Sequence, residues 1–148
     1  MKRFRWRLER VLEIKKKQEQ KERAELFQLT ERLAERRAEL LMRQKMLKDV
    51  IRDLAESDPR QRLGRQEFFL RHAATSDEQI GRLKDQVSEL EAQHKDKIAE
   101  VMKIRRFKEG LEKLRAEAKA QFIEEQEKLA QKELDETANV SFVRKALS

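Results

Sequence analysis

The chain has 148 residues, 44% of them charged, a net charge of +7, three glycines and one proline. Average usage would supply roughly 10 Gly, 7 Pro and about 25% charge. So few breakers exclude a sandwich, a barrel or a doubly wound sheet, each of which needs many turns, and the absence of cysteine excludes a disulfide scaffold and a thiolate metal site.

The first segment, Met-Lys-Arg-Phe-Arg-Trp-Arg-Leu, is basic. It lacks the uncharged core of a secretory signal, and no apolar run nears the roughly 20 residues that span a bilayer. A cytoplasmic protein is expected. Residues 1–17 carry eight Lys/Arg against two Glu.

A first helix is predicted from about residue 4 to 56. Leu26, Leu29, Leu33, Leu40, Leu47, Val50 and Leu54 follow one alternating three-and-four spacing, with Arg36 and Arg43 between them. That spacing is a heptad seam. Extended backward, it passes the polar Glu22, Glu19 and Lys15 to reach Leu12 and Leu8, and weaker pairing is expected over residues 15–22. A second apolar row (Phe27, Leu41, Met42, Met46, Ile51) widens the stripe. Glu39 and Arg43, four apart, read as a solvated ion pair.

The break comes at Ser57-Asp58-Pro59. Ser and Asp suit an N-cap, and Pro suits the first helical position. A turn at 57–60 is predicted, with Gly64 loosening the start that follows.

A second helix is predicted over about 61–138. Its seam runs Phe69, Ala73, Ile80, Leu83, Val87, Leu90, His94, Val101, Ile104, Leu111, Ala118, Phe122 and Leu129, with Ser76, Lys97, Lys108, Arg115 and Glu125 at the other seam positions. Gly81 and Gly110 lie inside this helix, as expected places for bending or close approach by a partner. Residues 139–148 read as a frayed tail of low helix propensity.

Two long helices joined by a tight turn predict an all-α antiparallel coiled-coil hairpin, a single elongated domain over residues 1–148. A turn centred near residue 58 sets Leu26 against Leu90, Leu8 against Lys108 and the N-terminus against about residue 115. The longer arm would reach roughly 100 Å, the last 30 Å or so unpaired.

Enzyme chemistry is not expected. Three scattered glycines build no phosphate loop. His72 and His94 are too far apart on one helix to share a metal. A two-helix hairpin offers no enclosed pocket. No cofactor and no metal are expected, and the alternating charges do not form the basic, aromatic-lined stripe of a nucleic-acid binder.

The aromatics single out two candidate docking regions. Phe68 and Phe69 are adjacent just after the turn, and on a helix they point about 100° apart. Phe69 follows the seam, so Phe68 is expected to be exposed, and exposed aromatics favour interfaces. Trp6 lies off the face of Phe4 and Leu8 and invites the same argument at the other end.

The ends also resemble a known family. The opening Phe4-Arg5-Trp6-Arg7-Leu8-Glu9-Arg10-Val11-Leu12 is similar to the start of the FliJ family of the flagellar type III export apparatus. Leu111-Glu112-Lys113-Leu114-Arg115, then Phe122, Glu124-Glu125 and Lys132-Glu133-Leu134-Asp135-Glu136-Thr137-Ala138, look like its C-terminal stretch. The resemblance implies a fold similar to the central stalk of rotary ATP synthases. It implies insertion into a hexameric export ATPase, with Phe4, Trp6, Leu8, Val11, Leu114, Phe122 and Leu134 as binding residues. It further implies contacts with export chaperones and the cytoplasmic part of the membrane export gate, through Phe68, Phe69 and His72. The location implied is cytoplasmic, at the inner face of the membrane through that apparatus. A generic coiled-coil scaffold, free or at a membrane surface, is the competing reading.

Overall fold

The computed structural model describes residues 2–148, so Met1 of the basic 1–17 segment lies outside the described residues. Two helices, α1 (Glu9–Glu56) and α2 (Pro59–Leu147), pack against each other in an all-α hairpin with no strand among the described residues. No helix among them is long and apolar enough to cross a membrane.

Their ends follow from local chemistry. The start of α1 is closed by the Glu9 amide donating to the Trp6 carbonyl at 3.2 Å and the Leu12 amide to Leu8 at 3.0 Å. Glu9 places a carboxylate in the positive first turn. This start is later than the predicted residue 4, and residues 2–6 lie outside any helix. Lys2, Arg3 and Arg5 there would repel one another and the helix N-terminus. At the other end of α1, Ser57 Oγ donates to the Leu54 carbonyl at 2.8 Å and Arg62 to that of Ala55 at 3.1 Å. Asp58 caps α2 with its Oδ1 on the Arg60 amide and its carbonyl on Gln61 and Arg62, and Pro59 is the first helical residue. The turn is therefore only residues 57–58, shorter than predicted, and Gly64 sits in continuous helix.

A further expectation fails. The C-terminal segment is not a frayed tail, because α2 runs on to Leu147. Arg144 and Lys145 stand in its last turn, where cations complement the exposed carbonyls. Within the hairpin itself, a Cβ added at Gly81 or Gly110 meets nothing within 4 Å.

The contacts form two units. In one (residues 20–102), Leu33, Val87 and Leu90 form a buried cluster, with Leu29 and Leu40 packed on it. Ile80 and Leu83 are buried too. Cross-helix polar pairs flank this seam: Thr30 with His94 at 2.9 Å, Arg37 with Glu91 at 2.9 Å, and Arg43 with Gln79. The Thr30 hydroxyl already donates to the Leu26 carbonyl at 2.8 Å, so it accepts from His94 Nε2. In the other unit (residues 2–19 and 103–148), Leu12 is 1% exposed and Leu111 is buried.

The polar stretch of the α1 seam is not weakly paired. Glu19, buried, takes Lys108 at 2.6 Å, and Glu9 takes Arg115 at 2.7 Å, while Lys15 lies over the Phe107 ring at 4.9 Å. In the other unit, Lys97 bridges Glu22 at 2.6 Å and Glu25. Seam acids on α1 meet seam bases on α2.

Those pairs correct the predicted register. Lys108 lies opposite Glu19, not Leu8, and Leu90 packs on Leu33, not Leu26. Each partner is displaced by a heptad or more. The reason lies in the matching: this register gives seam carboxylates a hydrogen-bonded cation, and a half-covered charge left unmatched would be costly. As a result, residues 60–68 of α2 are all exposed, and the α1 N-terminus reaches further along α2 than predicted, to Phe122.

Candidate functional site

The side chains singled out in the sequence fall into two groups, one in each unit.

The first lies where the segment before α1 meets α2. Phe4 and Phe122 are brought together, their ring centroids 5.5 Å apart and tilted by 54°. The Arg115 guanidinium sits 5.6 Å from the Phe4 ring, an arrangement that favours the cation over the ring face. Phe4 is therefore partly spent in holding the segment before α1 onto α2. Trp6 and Leu8 are half-buried beside it. Val11 and Leu114 are exposed, so they remain open to a partner. Leu134 is also exposed, but it lies further along α2, beyond the last half-covered residue, Gln126. It is not gathered with the others.

The second group follows the turn. Phe68 is 64% exposed, and its ring lies 4.1 Å from that of His72 at 57°. Phe69 is half-buried, turned into the seam as its heptad position requires. All three line one open groove of about 290 Å³, together with Met46, Leu47 and Val50 of α1. Its walls are mostly apolar, with Arg43 and Gln79 bonded to each other at one end. Such a groove can seat an apolar side chain of a partner and present the His72 edge beside it.

Sequence reasoning assigned Met46 to a second apolar row but did not join it to Phe68. The signal that would have joined them is the register. Only when α2 is shifted does Val50 come near Phe69 and Ala73, so that Met46 and Phe68 share one hollow.

Charge is uneven within these groups. Lys2, Arg3, Arg5, Arg7, Arg10, Lys16 and Lys17 are all exposed on the segment leading into α1. Residues 121–138 carry six Asp/Glu against two Lys.

The family model described as Flagellar FliJ protein matches residues 4–147 of the chain. No curated protein matches it, and no solved structure does.

Proposed function

Because the chain belongs to the FliJ family, we propose that it acts as a non-enzymatic stalk and adaptor of flagellar type III protein export, working as a single coiled-coil domain. The match over residues 4–147 carries this reading. In it, the end bearing Phe4, Trp6, Leu8, Val11, Leu114 and Phe122, with Leu134 beyond, enters the hexameric export ATPase. It promotes assembly of the ring and its activity. Phe68, Phe69 and His72 face an export chaperone or the cytoplasmic part of the membrane export gate, which holds the protein at the inner face of the membrane.

The physical features support it. Val11 and Leu114 are exposed apolar side chains at the proposed inserting end. The groove of Met46, Leu47, Val50, Phe68, Phe69 and His72 has the mixed apolar and aromatic lining common at interface cores. Surface ion pairs such as Arg36–Glu39 and Arg105–Glu109 are solvated and contribute little each, which suits a surface that touches several ring subunits in turn.

The test is the ATPase rate and oligomer size of the cognate export ATPase with and without this protein. Both should rise on its addition. Trp6→Ala combined with Leu114→Ala should lower the stimulation by roughly tenfold, the scale of a lost interface anchor, with helix content by circular dichroism unchanged. An ATPase indifferent to the unmodified protein would leave the generic scaffold as the better reading.

A further inference from the structure

Beyond Gln126, no helix among the described residues packs on α2, and Lys2 shares only the first hollow there with Leu129 and Glu133. Every residue from 127 to the end is exposed, although the helix continues for nearly six more turns to Leu147. One face of this stretch prolongs the face that packs on α1. Phe122 and Gln126 are its last half-covered members. At helical spacing the same face carries Leu129, Glu133, Glu136, Val140, Val143 and Leu147. Leu129, Val140 and Val143 are each a little over half exposed, and shallow hollows run along this face at Phe122–Glu133 and Glu133–Val140. Leu134 and Phe142 lie off it.

The pattern is apolar, acidic, acidic, apolar. A related run, Leu12-Lys15-Glu19-Glu22-Leu26, occurs in the covered part of α1, and there its complement is visible. Glu19 and Glu22 meet Lys108 and Lys97 of α2. The rule that closes the seam is therefore acid against base between apolar layers. A second copy of this chain does not obey it on the open face. Pairing two such stretches in register, antiparallel or parallel, sets Glu133 and Glu136 against carboxylates, and like charges across a seam are repulsive; an antiparallel pair slipped by a heptad leaves both acids against valines with no cation.

We propose that residues 126–147 of α2 are a docking strip for a basic amphipathic helix. That helix presents two Lys or Arg opposite Glu133 and Glu136, with apolar residues on either side to cover Leu129 and Val140. About three heptads fit along it. The proposal deepens the reading of this end as a docking end and rests on it, but it is tested without the export ATPase, so the two can fail separately.

Two synthetic, fluorescein-labelled peptides of about 21 residues serve as probes, each with an Ile/Leu heptad seam. One carries Lys at its two central seam positions and the other Glu. Anisotropy with the full chain at ~0.15 M salt, where exposed charges are screened beyond about 8 Å, should show the Lys peptide binding at least about tenfold tighter. Glu133→Lys with Glu136→Lys should reverse that preference. Leu129→Asp with Val140→Asp should weaken both peptides while circular dichroism shows the helix intact. Equal binding of the two peptides, or a preference untouched by the charge reversal, overturns the proposal. So does a dimer of the unmodified chain in sedimentation velocity that Leu129→Asp with Val140→Asp dissolves, because the occupant would then be a second copy.

Discussion

Lys97 shows what a single seam residue contributes. Its ammonium bridges Glu22 and Glu25 across the helix pair, with Glu100 at 3.6 Å on its own helix, and its side chain is only 19% exposed. The hydrogen bond to Glu22, then that to Glu25, raise its pKa well above the ordinary lysine value. The hydrogen bond from Lys97, then its charge, lower the pKa of Glu25. A raised lysine adds stability that is complete below its ordinary value of 10.5 and is lost as pH rises through the raised one. A lowered carboxylate adds stability that is present above its ordinary value of 4.5 and is lost as pH falls through the lowered one. Lys97→Met should therefore lower the melting temperature by an amount that stays level between those two values. The gap to the unmodified protein should narrow in stronger acid and in stronger base, as thermal melts across pH will show. Gly110 makes the opposite case. It is exposed, helical and open to an added methyl, so Gly110→Ala should raise stability by about 1 kcal/mol in denaturant unfolding.

At the scale of the elements, the helices are legible in their residues and their mutual register is not. Leu12, Leu33, Ile80, Leu83, Val87, Leu90, Val101 and Leu111 are all buried, and all stand on the seams drawn from spacing alone. A heptad repeat says which face is covered but not by which heptad of the partner, because sliding by seven residues keeps the same face inward. The choice falls to the polar seam positions, where Glu19 seeks Lys108 and Glu9 seeks Arg115. The absence of native cysteine makes this easy to check. Leu33→Cys with Leu90→Cys should form a disulfide under mild oxidation, seen as a mobility shift on a non-reducing gel. Leu26→Cys with Leu90→Cys should not, since one heptad of slip is about 10 Å along the axis. The reverse result would restore the register centred on the turn.

For the molecule as a whole, the ends of the chain carried more information than its middle. The aromatic-and-basic opening and the acidic C-terminal stretch suggested the FliJ family, and the match over residues 4–147 establishes it. The candidate residues were legible unevenly. Phe4 and Phe122, named in one group, lie with their rings side by side, and Phe68, Phe69 and His72 line one groove. Leu134 was chosen with the terminal group and stands apart from it. The missing partners of the groove, Met46 and Val50, come from α1. Nothing local to either helix indicates which residues across the pair will share a hollow.

The sequence by itself determined the two helices, their buried faces and the break at Ser57-Asp58-Pro59, because period, capping and proline placement act within a few residues of the chain. Only the tertiary structure decided that α1 begins at Glu9, that α2 extends to Leu147, and that the pairing is displaced by a heptad. Helix ends are set by small differences among caps, charges and propensity. Register is set by ion pairs between residues as distant as Glu9 and Arg115. Such pairs exist only once the two helices have met.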